Sequence, residues 1–93
     1  MKPEYVIDTD GTKRWYLNGL LYREDGPAVE YANGNKSWYI NGEYHREDGP
    51  AIEYADGEKK WWLNDEEYTK KEYYKELYKL GKITKDELFL ELL

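Results

Sequence analysis

The fold is decided by residues 34–55, which have the sequence GNKSWYINGEYHREDGPAIEYA. The same pattern stands 23 positions earlier as GTKRWYLNGLLYREDGPAVEYA (residues 11–32), and a partial third copy over residues 57–68 has the sequence GEKKWWLNDEEY. A fixed period of this length is typical of repeat architectures, in which each unit packs on its neighbours. The repeats therefore run from about Glu4 to Tyr68, and the remainder of the chain is a different element.

The composition is hydrophilic but rich in aromatic rings. The chain has 93 residues, a formal net charge of −6 and 37% charged residues, yet 17% of it is aromatic, with four tryptophans and eleven tyrosines. Disordered chains are poor in such residues, so the composition favours a folded domain. Its core is expected to consist largely of amphipathic rings, which bury a large area and keep a polar edge in water.

Length, charge and cysteine content exclude several classes of protein. The length allows one small domain, and the absence of cysteine excludes disulfides and thiolate metal sites. An acidic chain is a poor ligand for nucleic-acid backbones, so we expect no direct nucleic-acid binding. We find no apolar run of signal-peptide or membrane-span length, and expect a cytoplasmic protein, in the host cytoplasm if it is phage-encoded.

The turn residues predict a meander of short antiparallel strands. Asn33-Gly34 and Asn41-Gly42 are expected to form two-residue type I′ hairpin loops, which need a positive φ at both positions. Asp48-Gly49-Pro50 predicts a further turn. Repeated in series, these units predict a twisted antiparallel sheet of about seven to nine strands.

The predicted loops also predict which side chains share a face. If both loops have two residues, Val29 lies opposite Trp38, and Trp38 lies opposite His45. One face is then expected to carry Val29, Tyr31, Trp38, Ile40 and His45. The other is expected to carry Ala28, Glu30, Ser37, Tyr39, Tyr44 and Arg46. We take the first face as the core face because it is the more apolar.

The last quarter of the chain changes to a helical period. Two capping boxes, starting at Thr69 and Thr84, predict helices over about 70–80 and 85–93, and Gly81 suits the end of the first. We expect this helical hairpin to cap the sheet. The predicted fold is therefore β-rich α+β: an antiparallel meander of hairpins from three 23-residue repeats over residues 1–68, and a C-terminal helical cap over residues 69–93, in a single domain.

The repeat unit resembles a known class of β-repeat. Gly-x-x-x-Trp-Tyr-x-Asn-Gly, followed by Arg-Glu-Asp-Gly-Pro-Ala, is similar to the Trp-Tyr/Asn-Gly repeats related to MORN-type repeats. Similar units occur in YwqK-like antitoxins and in small bacteriophage and giant-virus proteins. The resemblance covers about two thirds of the chain and implies a binding module of stacked hairpins with no catalytic residues. A phage-encoded inhibitor of host defence is the analogy that size and repeat type suggest.

The single histidine is a weak candidate for catalysis. Tyr22 and Tyr68 take the place of His45 in the other copies, and a tyrosine can replace a packing residue but not a base. We therefore favour packing or a local hydrogen bond for His45. With one histidine and no cysteine, we expect no catalytic residues and no enzyme.

The charged motifs have structural interpretations as well. The Arg-Glu-Asp loops that begin at Arg23 and Arg46 could form ion pairs with Glu30 or Glu53, or could present a repeated anion or partner contact. Residues 8–11 resemble the start of a calcium loop but lack its later ligands. We expect no metal and no cofactor.

One set of rings is left over once the core face is assigned. Tyr16, Tyr39 and Trp62 each follow a core-face tryptophan and so point the other way. With their predicted neighbours they form the candidate partner-binding surface, which comprises Tyr16, Arg23, Tyr39, Tyr44, Arg46 and Trp62. The alternative is a second small core beneath the C-terminal helices.

These observations favour a non-enzymatic binding protein. We expect a phage-type inhibitor that occludes a host defence or CRISPR-type effector through the aromatic and arginine-bearing face, since tyrosine, tryptophan and arginine carry most interface energy. One alternative is a nucleotide-signal sponge that uses the rings for the base and the arginines for phosphate. Another is a self-assembling structural repeat, with a homodimer contact through Phe89, Leu92 and Leu93.

Overall fold

The protein forms ten short strands followed by two helices in a computed structural model that describes residues 2–93. The strands are β1 (Glu4–Ile7), β2 (Lys13–Leu17), β3 (Leu20–Leu21), β4 (Val29–Glu30), β5 (Lys36–Ser37), β6 (Tyr39–Ile40), β7 (Glu43–Tyr44), β8 (Ile52–Glu53), β9 (Lys59–Leu63) and β10 (Glu66–Tyr68). The helices are α1 (Lys70–Lys79) and α2 (Lys85–Glu91). The predicted β-rich α+β class is confirmed, and the number of repeats stays a prediction.

The strands form two antiparallel ladders, here called the base ladder and the arm ladder. In the base ladder the order is β1-β2-β4-β5-β8-β9. In the arm ladder the hairpins β2–β3, β6–β7 and β9–β10 stand side by side. Neighbouring arms are joined by backbone hydrogen bonds, from Arg23 N–H to the Tyr39 carbonyl (3.2 Å) and from Arg46 N–H to the Trp62 carbonyl (3.3 Å). The meander therefore forms two adjacent ladders, and the strands β2 and β9 run through both of them.

The prediction for the Asn33-Gly34 loop is wrong. Gly34 has a φ of 95°, whereas Asn33 does not adopt a positive φ, and the turn closes by hydrogen bonds from Gly34 N–H to the Tyr31 carbonyl and from Tyr31 N–H to the Asn35 carbonyl (both 2.9 Å). This is a type I turn followed by a glycine bulge, with one residue more than a type I′ loop. At Asn41-Gly42 both φ values are positive, and the predicted loop is confirmed.

The extra residue shifts the register, and the predicted face assignment fails with it. Val29 lies opposite Ser37 rather than Trp38. Because cross-strand neighbours share a face, Val29 lies on the face of Ser37 and Arg14 and not on that of the Trp38 ring. The predicted pairing of Tyr39 with Tyr44 in the arm ladder is confirmed.

The buried residues form two groups. Ala28, Val29, Ala51 and Ile52 are buried at the centre of the base ladder, together with Thr12 and Ser37. A second cluster joins Leu63 of β9 to Tyr73 and Leu77 of α1. Its half-buried members are Trp61, Tyr68, Tyr74 and Ile83. The core-face expectation thus holds for Trp61, which packs beneath the helices.

Both helices begin where the capping boxes predict. Thr69 and Thr84 accept a hydrogen bond from the backbone of the third helical residue, whose glutamate bonds back to the cap. Helix α1 ends at Lys79 and is closed by Gly81, which has a φ of 75°; the N–H groups of Gly81 and Lys82 bond to the carbonyls of Tyr78 and Leu77. Helix α2 ends at Glu91, two residues before the predicted end. Within residues 2–93, neither helix is long and apolar enough to cross a membrane.

Candidate functional site

Three rings form a continuous stack on the arm ladder. The ring centroids of Tyr39 and Tyr44 lie 4.4 Å apart in a stacked arrangement, and those of Tyr44 and Trp62 lie 5.0 Å apart in a tilted one. We call Tyr39, Tyr44 and Trp62 the aromatic row. Each of the three side chains is half-buried, so one side of the row remains in contact with solvent.

The C-terminal helices lie on the other face of the sheet from the aromatic row. Trp61 and Leu63 both pack with the buried side chains of α1, and Trp62 stands between them on the same strand. Since side chains alternate along a strand, Trp62 points away from the helices. The prediction that these rings form a second core beneath the helices is therefore wrong.

Carboxylates lie at both ends of the aromatic surface, by which we mean the aromatic row together with Tyr16. Tyr16 occupies the position in β2 that corresponds to Tyr39, and its cross-strand neighbours are Leu21 and Glu4. At the opposite end Glu67 lies across from Trp62. The Glu67 carboxylate is 3.9 Å from the Lys60 ammonium and is thus only partly compensated. An apolar strip edged by acidic groups suits a partner surface with apolar and basic side chains.

Hydrogen bonds to the backbone of Tyr44 hold the aromatic row in place. Asp65, which follows Asn64 in the third arm, accepts a hydrogen bond from Tyr44 N–H at its Oδ1 (2.8 Å) and donates its own N–H to the Tyr44 carbonyl (2.9 Å). Burial, and then the neighbouring Tyr44 hydroxyl, raise the pKa of Tyr39 far above its ordinary value. Tyr39 is therefore neutral at physiological pH, and the stacked rings are packed together before any partner arrives.

The two predicted arginines do not join the aromatic row. The Arg23 guanidinium lies over the Trp15 ring at 4.4 Å, and the Arg46 guanidinium lies over the Trp38 ring at 3.9 Å. Both stacks lie on the face of the core tryptophans, because Trp38 and Tyr39 are adjacent on the chain and point in opposite directions. The predicted single surface of rings and arginines is thus divided between two faces of the sheet.

Each arginine is engaged by its own loop. Arg46 donates from Nε to Asp48 (2.8 Å) and from Nη1 to both the Pro50 carbonyl (3.0 Å) and Glu53 (2.9 Å). Arg23 repeats the first two bonds, to Asp25 (2.9 Å) and to the Pro27 carbonyl (3.1 Å). These bonds hold each guanidinium group against its own loop, and they support the structural interpretation of the Arg-Glu-Asp motif.

A shallow groove separates the two arginine loops. It has a volume of about 470 Å³, and its walls comprise Arg23, Glu24, Trp38, Ile40, His45, Arg46, Glu47 and Asp48. Nδ1 of His45 accepts from Asn64 N–H (3.0 Å), which leaves Nε2 as the donor to Glu47 (2.9 Å). Both ring nitrogens of His45 are therefore used locally, which is the role that its exchange with tyrosine predicts.

The predicted oligomer contact is exposed on α2 and the residues after it. Phe89, Leu92 and Leu93 are all exposed and line an apolar hollow of about 250 Å³. None of the residues of α2 is buried. The structure brings these three side chains together, and no other part of residues 2–93 buries them.

Two residues that position the site were missed from the sequence. The Tyr73 hydroxyl accepts a hydrogen bond from Gly49 N–H (3.3 Å) and donates one to the Arg46 carbonyl, so it ties α1 to the second arginine loop. Asp65 replaces a turn glycine yet keeps a φ of 66°. The only signal for either was the departure of the third copy from the repeat pattern at these positions.

Comparisons with protein-family models, with curated proteins and with solved structures find no match. Over residues 2–93, no group of three or more histidine, aspartate or glutamate side chains is arranged to hold a metal ion. The site must therefore be interpreted from its own geometry.

Proposed function

We propose that this chain is a non-enzymatic binding protein that grips a partner protein through the aromatic row. The observation that carries the proposal is that Tyr39, Tyr44 and Trp62 form a stacked strip on the sheet face opposite the helices. Tyrosine and tryptophan are the residues that dominate interface energy, and they lose little entropy when they are already packed.

The acidic balance supports a basic partner. The chain has a net charge of −6, and Glu4 and Glu67 lie at the two ends of the aromatic surface. Such a charge distribution accelerates encounter with a positively charged surface. In the setting that the repeat resemblance implies, the partner is a host defence or CRISPR-type effector whose working surface is occluded.

The nucleotide-sponge alternative has less support. Trp38 and the two arginines line the groove, but Glu24, Glu47 and Asp48 line it too. Carboxylates repel phosphate, and each guanidinium group is already paired with a carboxylate, Arg23 with Asp25 and Arg46 with Asp48 and Glu53.

The test compares capture from a bacterial lysate by wild type and by Tyr44→Ala. Loss of a central ring is expected to weaken partner binding by a factor of about thirty, the effect of a typical hot-spot residue. The matched control is Tyr78→Ala, because Tyr78 is an exposed tyrosine on α1, which lies on the sheet face opposite the aromatic row. Circular dichroism and denaturation establish that both variants fold.

A protein that binds wild type and Tyr78→Ala but not folded Tyr44→Ala would support the proposal. If both variants retain the same proteins, the aromatic row is not the binding surface. A nucleotide panel in a thermal-shift assay serves as the second arm, because a ligand that binds only the folded state raises the unfolding midpoint. A shift with a nucleotide and no captured protein would replace this proposal by the sponge.

A further inference from the structure

The base ladder is open at β1. Val6 and Ile7 on this strand are 53% and 63% exposed, whereas the residues that correspond to Val6 in the next two units, Val29 and Ile52, are 1% and 8% exposed. Val29 and Ile52 are covered because a strand lies on each side of β4 and β8. Among residues 2–93, β1 has a neighbour on one side only, which is β2.

The molecule contains two examples of the interface that β1 lacks. In one, Lys13 lies opposite Glu30 and Arg14 opposite Val29, and Trp15 N–H donates to the Ala28 carbonyl (2.8 Å). In the other, Lys36 lies opposite Glu53 and Ser37 opposite Ile52, and Trp38 N–H donates to the Ala51 carbonyl (2.7 Å). A strand of the form Lys-x-Trp thus covers a strand of the β4 type by a single, repeated geometry.

The opposite end of the base ladder carries such a strand, β9, whose first two residues are free on the outer side; β10 pairs with the rest of β9 there. Lys59 and Lys60 of β9 pair with Glu53 and Ile52 on the inner side, and the described chain places no strand against them on the outer side. A hollow of about 440 Å³ runs along Lys59, Lys60 and Trp61 there, with Tyr68 and Thr69 at its far wall. It borders the side of β9 that corresponds to the side of β5 occupied by β8.

We propose that β1 of one copy pairs with the outer side of β9 of a second copy, so that the base ladder continues from molecule to molecule. By the geometry of the two internal interfaces, Ile7 lies opposite Lys59 of the second copy and Val6 lies opposite its Lys60. The pairing ends at Lys60, because Trp61 is paired with Tyr68 of β10 on that side. The contact is head-to-tail, so each added copy leaves a new β1 and a new β9 free.

The intermolecular contact is expected to be weaker than the internal ones because it lacks a glutamate opposite the lysine. At the internal interfaces a glutamate, Glu30 or Glu53, lies opposite the lysine. At β1 the corresponding residue is Ile7, so no carboxylate would lie opposite Lys59 on its outer side. Association is therefore expected at high protein concentration and is expected to respond to charge at position 7.

The first experiment measures mass by sedimentation velocity from the micromolar to the millimolar range. Ile7→Glu recreates the Lys–Glu pair and is expected to tighten association by roughly two- to fivefold, the effect of one cross-strand charge pair. Ile7→Lys is the matched variant and is expected to weaken it by a similar factor. Adding Lys59→Glu to Ile7→Lys restores an opposite-charge pair and is expected to recover association.

The second experiment uses the absence of native cysteine. A chain with Ile7→Cys and Lys59→Cys is expected to form disulfide-linked multimers under mild oxidation, because residues opposite each other on paired strands are within disulfide reach. The control carries Ile7→Cys and Lys36→Cys, since Lys36 lies in the interior of the ladder.

The outcomes separate this contact from one through the helices. The proposal is overturned if wild type is monomeric throughout, or if position 7 has no effect on association. It is also overturned if Leu92→Glu abolishes association while the charge exchange does nothing, because the contact then lies on α2. Association that follows the charge at positions 7 and 59 supports it, and does so whether or not the aromatic row binds a partner protein.

Discussion

At the scale of single residues, the arginine loops depend on glycines that leave room for a guanidinium group. A Cβ atom added at Gly49 would lie 2.9 Å from Cζ of Arg46, and one added at Gly26 would lie 2.8 Å from Cζ of Arg23. The glycines therefore allow each arginine to fold back over a tryptophan ring while it bonds to its own loop. The arginine, the glycine and the tryptophan act as one packing unit.

The Gly49→Ala substitution tests this unit. We expect it to lower the free energy of unfolding by about 1–3 kcal/mol, because the methyl group displaces the Arg46 guanidinium from the Trp38 ring. In an Arg46→Ala background the same substitution is expected to cost little, since the clashing group is gone. Denaturant titrations of the four proteins in this double-mutant cycle measure the coupling between Gly49 and Arg46. Equal losses of stability in both backgrounds would contradict the proposed packing unit.

At the scale of elements, α1 takes the place that an arginine loop has in the other copies. Thr69 stands where Arg23 and Arg46 stand in the repeat, and Trp61 packs against the helix instead of a guanidinium group. The Tyr73 hydroxyl, bonded to the loop of Arg46, fixes the helix to the preceding unit. The helix thus both ends the repeat pattern and covers its last tryptophan.

The capping box of α1 gives the fold a sensitivity to acid. The Thr69 backbone N–H, bonded to the Glu72 carboxylate, lowers the pKa of Glu72 from its ordinary value of 4.5. A lowered pKa stabilises the fold above pH 4.5, and this stabilisation is lost as the pH falls through the folded-state value. The difference in denaturation midpoint between wild type and Glu72→Gln should therefore shrink on acidification. A constant difference across that range would contradict this assignment.

The helices could be predicted more accurately than the hairpins because their signals are local. A capping box fixes a helix start by itself, whereas Asn-Gly fits two kinds of loop. In the base-ladder turns the Oδ1 atoms of Asp10, Asn33 and Asp56 accept from the N–H two residues on, at 2.9–3.0 Å. An aspartate can make that bond as well as an asparagine. The occurrence of aspartate at two of these equivalent turns and of asparagine at the third was therefore the signal in the sequence for this type of loop. The register error that followed placed Val29 on the face of Trp38. Arg46 was misplaced for a different reason: β7 ends at Tyr44, so the alternation of side chains along the strand does not extend to Arg46.

At the scale of the whole molecule, tyrosine rings supply much of the buried surface that aliphatic side chains supply in other cores. The molecule measures 44 × 32 × 19 Å, and its largest fully buried side chains are Tyr73, Leu77 and Val29. Such a thin fold buries little aliphatic surface, so the free energy of unfolding depends on rings that can ionise. Its stability is accordingly coupled to alkaline pH.

Alkaline titration should therefore unfold the protein. Burial raises the pKa values of Tyr39 and Tyr73 above the ordinary 10.0. The unfolded chain then releases phenolic protons first, so the stabilisation present below pH 10 is lost as the pH rises above it. We expect the denaturation midpoint to fall in that range, and to fall less for Tyr73→Phe. Tyrosinate absorbance should show two classes of phenol; a single class with ordinary titration would contradict the prediction.

The aromatic row also makes the molecule its own optical reporter. The Tyr44 ring lies 4.4 Å from the Tyr39 ring and 5.0 Å from the Trp62 ring, so excitation energy absorbed by these phenols passes to that indole. The other three indoles lie elsewhere, two beneath guanidinium groups and one against α1. Emission excited through the tyrosines thus includes a signal from the surface that we assign to the partner. Occupation of that surface would change this signal without any attached dye.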